Sequence, residues 1–250
     1  MVAPAGASVT VETFSYAGAT LIAERFGRGA QTFVLVHGIG MGRSVFRGVA
    51  EELENRGSFI AIDLPGYGAA PEPERILTME RTADLVAGYL RSHAPGPVTL
   101  VGHSMGTQVE AEVAARHPAL VARLVLLAPT VNRREHSAAR QVMRLVQDLA
   151  GEHPKVFLIG ARECLRAGPH IPGKFRAMMA HDPETAYRRV QCPTLIVRGG
   201  KDRVCPHDWC RHVGDLVPNG TLVEVDGHGH ETMIRDSGPV AAAILAFTEL

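Results

Sequence analysis

The sequence predicts a doubly wound α/β protein: a mostly parallel, eight-stranded sheet with helices on both faces and a helical lid. Three observations carry this expectation. Short, continuous runs of β-branched residues and leucine recur along the chain, and helix-period segments lie between them. One interval of about 60 residues, from Val131 to Val190, then breaks the rhythm.

The elements follow in order. "SVTVETFSYAG" and "TLIAERFG" alternate apolar and polar residues, which predicts an antiparallel pair with one wet face. The next runs are continuously apolar: "TFVLVHG" (32–38), "SFIAIDLPG" (58–66), "PVTLVGH" (97–103), "RLVLLAP" (123–129), "PTLIVRGG" (193–200) and "TLVEVDG" (221–227). Strands of this kind are expected to be buried on both faces, as in parallel sheets. "RSVFRGVAEELEN", "TMERTADLVAGYLRSH", "TQVEAEVAARH" and "GPVAAAILAFTEL" each carry one apolar stripe and read as the intervening helices. The long interval holds helical stretches such as "SAARQVMRLVQDLAG", interrupted by Pro154, Pro169, Pro172 and Pro183. It reads as an inserted lid. Nine Arg and two Lys against four Glu and two Asp make residues 131–190 about +5, the remainder about −5. A solvated helix surface explains this charge. A sharper expectation is that Arg133, Arg140, Arg144, Arg188 or Arg189 faces the pocket and binds an anionic substrate group.

Composition removes several function classes. The chain has 250 residues, 46% hydrophobic and 21% charged, which suits one large α/β domain rather than a disordered or fibrous chain. Lys plus Arg and Asp plus Glu both number 26, so no global basic field favours nucleic acid. The longest apolar runs, such as Leu124–Ala128, are strand-sized, well short of the roughly 20 residues of a membrane helix. The N-terminus has no Lys or Arg before Arg25 and no continuous apolar core, which argues against a secretory signal. Cys164, Cys192, Cys205 and Cys210 are too few and too clustered for a disulfide scaffold. The expectation is a cytoplasmic monomer or homodimer with reduced thiols.

The stretch "PVTLVGHSMGTQVEAEVAARHP" (97–118) places Ser104 between Gly102 and Gly106, where a strand pattern becomes a helix pattern. Ser104 is either a helix N-cap or a nucleophile on an elbow. So abrupt a turn forces a strained backbone and needs small neighbours, which the two glycines supply. The helix that follows aims its partial positive charge at the hydroxyl. A nucleophilic serine also needs a base, an orienting acid and oxyanion donors. "LIVRGGKDRVCP" offers Asp202, "VEVDGHGHETM" offers His228 and His230, and the glycines of "VLVHGIGMG" expose backbone N–H groups suited to an oxyanion hole.

With these motifs the chain resembles an α/β-hydrolase of the lid-bearing bacterial type. The resemblance runs from Thr32 onward and rests on "HGIG", "DLPGYG" (63–68), "GHSMG", the Gly-Gly-x-Asp loop and a Gly-His before the last helix. It implies an α/β-hydrolase core of residues 1–130 and 191–250 with a lid of 131–190. It also implies a Ser–His–Asp triad and neither cofactor nor metal. Ser104 matches the nucleophile and Asp202 the acid. The family's Gly-x-Gly-His run puts His230, rather than His228, at the base. The backbone N–H groups of Ile39 and Met105 match the oxyanion donors. His37, Gly38, Arg140 and Arg144 are expected to border the pocket.

The implied activity is hydrolysis of an ester, thioester or lactone of a small molecule through an acyl-enzyme. The same triad also serves C–C bond (β-diketone) hydrolysis and acyl transfer. Relatives that act on haloalkanes or epoxides carry Asp where this chain has Ser104. A receptor-like member with little turnover is the alternative from another class. "CPHDWCRH" (205–212) has cysteines and histidines but not the spacing of a zinc ribbon or finger. The resemblance makes Asp63 a loop-fixing carboxylate, and His103 is expected to pack behind the elbow.

Overall fold

The computed structural model describes residues 9–54, 56–132 and 170–249. Eight strands form one sheet in the order β1-β2-β4-β3-β5-β6-β7-β8. The strands are β1 (Thr10–Tyr16), β2 (Ala19–Gly27), β3 (Gln31–Val36), β4 (Gly57–Asp63), β5 (Val98–His103), β6 (Val121–Leu127), β7 (Thr194–Gly199) and β8 (Gly220–Val225). β1 pairs antiparallel with β2 and β2 antiparallel with β4, while β4, β3, β5, β6, β7 and β8 run parallel. The eight-stranded, mostly parallel sheet is the one the sequence predicts.

Alternation along the central strands divides the core between the two faces. Val34, Val36, Ile60, Ile62, Leu124 and Leu126 face α2 (Met79–His93), α3 (Met105–Arg116) and α6 (His207–Leu216). Phe33, Leu35, Phe59, Ala61, Val125 and Leu127 face α1 (Arg47–Glu52) and α8 (Gly238–Thr248). Two short helices, α4 (Ile171–Ala180) and α5 (Pro183–Tyr187), precede β7, and α7 (Thr232–Arg235) precedes α8. The Thr78 hydroxyl caps α2 by accepting the Arg81 N–H at 3.3 Å. Such a cap contributes roughly 1 kcal/mol.

Two elements differ from expectation. β8 is an edge strand, so Thr221 is exposed and Leu222 and Val223 are half-buried rather than enclosed on both faces. α3 is buried on every side from Met105 to Ala115, Glu110 and Glu112 included, rather than along one stripe. It lies between the sheet, α2 and α5. Ala186, Tyr187 and Val190 pack in the main core. Arg133, Arg140 and Arg144 lie outside the described residues. Arg188 and Arg189 are exposed, and Arg188 pairs with Glu184 one turn earlier at 3.3 Å. Among the described residues, no helix is long and apolar enough to cross a membrane.

Candidate active site

Parallel strands β3, β5, β7 and β8 end along one edge of the sheet, and the site is assembled from the loops that leave them. Open α/β sheets bind ligands at such an edge, where strand order reverses, here beside β3.

Ser104 is the hinge between β5 and α3. Its φ of 51° and ψ of −117° lie in a region that non-glycine residues rarely occupy. Its N–H donates to the Leu127 carbonyl at 2.9 Å, and its own carbonyl accepts the Thr107 N–H at 3.0 Å and hydroxyl at 2.6 Å. The elbow closes because Gly102 and Gly106 lack side chains. A Cβ on Gly106 would lie 2.2 Å from the Val36 carbonyl oxygen, and one on Gly102 would lie 2.4 Å from Glu110 Oε2. The N-cap alternative is answered directly, since the Ser104 side chain makes no capping hydrogen bond to α3. Its Oγ instead lies 3.1 Å from His230 Nε2.

His230 Nδ1 donates to Asp202 Oδ2 at 3.0 Å, which leaves Nε2 as the acceptor facing Ser104. The other Asp202 oxygen accepts the backbone N–H groups of Val204 at 2.7 Å and Cys205 at 2.8 Å. Burial opposes ionisation of Asp202, but the His230 imidazole and these two amides outweigh it and hold its pKa below the usual value. The acid and histidine loops are laced together. Gly200 N–H donates to the Val225 carbonyl and Lys201 N–H to the His228 carbonyl, both at 2.8 Å. A Cβ on Gly199 would lie 2.2 Å from the Gly229 carbonyl oxygen. His228 turns away, its Nδ1 donating to the Asp226 carbonyl at 2.9 Å.

Gly38 is pressed against the nucleophile: a Cβ there would lie 3.1 Å from Ser104 Cβ. This contact brings the Gly38–Ile39 peptide alongside Ser104. Met105 is the first residue of α3, where a helical N–H has no partner within its own helix. His37 is fully buried beneath the loop rather than on the pocket surface. Its Nδ1–H donates to the Gly38 carbonyl at 2.8 Å and its Nε2 accepts the Leu64 N–H at 3.2 Å. Asp63 ties the neighbouring loops by accepting the Arg43 N–H at 2.7 Å and the Ala69 N–H at 2.8 Å, and it pairs with the Arg43 guanidinium. Arg43 also donates to Glu24 at 2.7 Å.

Arg43 and Lys174 are contributors that sequence reasoning missed. Arg43 carries no motif of its own, and its partners Glu24 and Asp63 are each about 20 residues distant. Lys174, counted only as lid charge, is buried. Its Nζ donates to the Gly66 carbonyl at 2.5 Å and to Glu72 at 2.7 Å, and it lies 4.4 Å from the centre of the Tyr67 ring. A small apolar cavity beside Met105 is walled by Leu64, Tyr67, Leu77, Met79 and Val109, with Lys174 at one side.

Among the described residues, Cys205, His207, Cys210 and His212 do not gather into one set of metal ligands. Cys205 Sγ donates to the Pro129 carbonyl, His207 pairs with Glu224, His212 approaches Glu184, and Cys210 lies buried in α6.

Residues 33–243 match the sequence profile described as the Alpha/beta hydrolase family, and the chain belongs to that family. It is 30% identical to a pimeloyl-[acyl-carrier protein] methyl ester esterase of Chromobacterium violaceum, over 92% of this chain and 98% of that protein. It is 30% identical to a 2-(acetamidomethylene)succinate hydrolase of Mesorhizobium japonicum, over 78% and 79% of the two chains. A thermophilic esterase from Thermogutta terrifontis, bound to malate, shares the fold at a TM-score of 0.81 and 22% identity, over 97% of this chain and 98% of that one.

Proposed function

We propose that the protein is a serine hydrolase that cleaves an ester or related acyl bond of a small molecule through an acyl-enzyme, without a cofactor. The observation that carries this reading is the aligned path from Ser104 Oγ through the His230 ring to Asp202, together with a serine that is strained and does not cap its helix. Ser104 attacks the carbonyl carbon while His230 Nε2 takes its proton. Asp202 holds the ring in the Nδ1–H tautomer and stabilises the imidazolium that forms. The Ile39 and Met105 amides receive the developing oxyanion; losing a donor of this type lowers the rate about 10²–10³-fold. His230 returns the proton to the leaving group. It then activates a water that releases the acyl group.

The relatives named above are an esterase of a pimeloyl-[acyl-carrier protein] methyl ester and a hydrolase of 2-(acetamidomethylene)succinate; the first supports ester cleavage and the second a small anionic substrate. The charge of residues 131–190 agrees with such a substrate.

Labelling with a fluorophosphonate probe, read by mass spectrometry, tests the nucleophile. The expected result is a single adduct on Ser104 that vanishes in Ser104→Ala. A panel of ester, thioester, lactone and β-diketone substrates tests the bond. Ser104→Ala should lower turnover by about 10⁶, the scale known for serine proteases. Turnover that survives the substitution, or folded protein that does not label, overturns the reading.

A further inference from the structure

His103 takes no step in the chemistry above, yet it touches the parts that perform it. It is the last residue of β5, fully buried and adjacent in the chain to Ser104. Its Nε2–H donates to the main-chain carbonyl of His230 at 3.1 Å, and Glu231 Oε2 lies 3.6 Å from the same nitrogen. The His103 and His230 rings are 5.1 Å apart between centres. Its Nδ1 lies against Gly38, where an added Cβ would approach it to 3.0 Å. Nδ1 meets no hydrogen-bond partner among the described residues, as expected of a ring whose proton is on Nε2.

We propose that His103 is a positioning residue: a neutral Nε2–H imidazole that clamps the His230 backbone and wedges under Gly38, so that base and oxyanion loop are set against the nucleophile beside it. The proposal rests on the hydrolase reading of Ser104, His230 and Asp202. A buried carbonyl needs a donor, and without one the 229–231 backbone is free to relax. A displacement of about 1 Å at such a site is enough to lower a rate about 10²-fold. Neutrality matters as well. His230 becomes an imidazolium during turnover, and a second cation 5.1 Å away would oppose it. The titratable groups facing His103 are His230, Asp202, His37 and Glu231. Burial first, then the His230 ring, presses the His103 pKa down to about 3.

The test compares His103→Gln, whose amide nitrogen can replace the Nε2 donor, with His103→Phe, which keeps a ring and removes the donor. With a p-nitrophenyl ester as probe, kcat should fall about 10–100-fold in H103F with KM changed less than about three-fold. H103Q should recover to within about five-fold of wild type. The acid limb of kcat/KM should follow the same single ionisation in all three proteins. Equal activity in the two variants, or wild-type kcat in H103F, overturns the proposal. A second measurement decides the matter even if H103F does not fold. Imidazole ¹⁵N shifts of the wild type should show His103 as the neutral Nε2–H tautomer over roughly pH 5–9. An Nδ1–H ring, or protonation within that window, overturns it. Ser104→Ala on the same ester keeps the two readings distinct: surviving turnover refutes the triad, while the tautomer measurement still judges His103.

Discussion

Ser104 occupies a backbone region whose strain is about 1–3 kcal/mol, and its surroundings hold it there. The Leu127 carbonyl pins its N–H, and the Val36 carbonyl fills the space a side chain at residue 106 would need. Gly106→Ala should therefore destabilise the protein severely, by more than the roughly 1 kcal/mol typical of single substitutions. Thermal unfolding checks this, and a wild-type Tm would contradict the steric argument. Ser104, Asp202 and His230 were legible in the sequence because their neighbours are glycines forced by tight packing. Arg43, Lys174 and the His37 hydrogen bonds were not, because a side chain that ties two loops leaves no local pattern. His37 shows the limit most clearly. Its motif announces the loop, but only the fold shows that the ring supports the loop from beneath.

α3 carries a second consequence of burial. Glu110 sits beneath the elbow, and burial raises its pKa well above the ordinary carboxylate value, outweighing the pull of the Val101 N–H. The folded state thus holds a proton there that the unfolded chain releases, so stability declines as pH rises from the ordinary carboxylate value up to the raised folded one. Glu110→Gln should be neutral near pH 4 and stabilising near pH 8. Each kcal/mol recovered should add about 2–4 °C to Tm. A scan at the two pH values checks the sign. The α4 segment is anchored by a part-buried pair, Lys174 to Glu72 at 2.7 Å, and a buried one, His181 to Glu112 at 2.8 Å. Lys174→Met should speed amide exchange within α4 while leaving β5 protected, which exchange mass spectrometry can resolve by peptide. Among the elements, the parallel strands β3 to β7 were the most legible. α3 and β8 were misjudged because a hydropathy pattern records how apolar a segment is, not how many layers cover it.

At the level of the whole molecule, the sheet fixes distances that no segment fixes alone. Asp202 ionises more readily in the folded protein than in the unfolded chain, so its contribution to stability is present at neutral pH and lost as pH falls through its folded value. The stability gap between wild type and Asp202→Asn should therefore close below about pH 4, as unfolding measured across pH will show. Turnover should fall more steeply in this variant, by about 10⁴ in the protease precedent. The fold class and the order of the strand tips were legible because alternation and glycine placement are dictated by close packing.

Synthesis of this chain delivers the parts in a fixed sequence. Ser104 precedes its base by 126 residues, whereas Asp202 and His230 lie 28 apart. A nascent chain that has emerged through β6 carries a complete elbow but neither base nor acid. On the proposed mechanism, the serine gains its reactivity only after β7 and β8 have been added at the growing edge of the sheet. By that mechanism a copy that lacks β7 and β8 is chemically silent, and these late strands are the ones that switch it on.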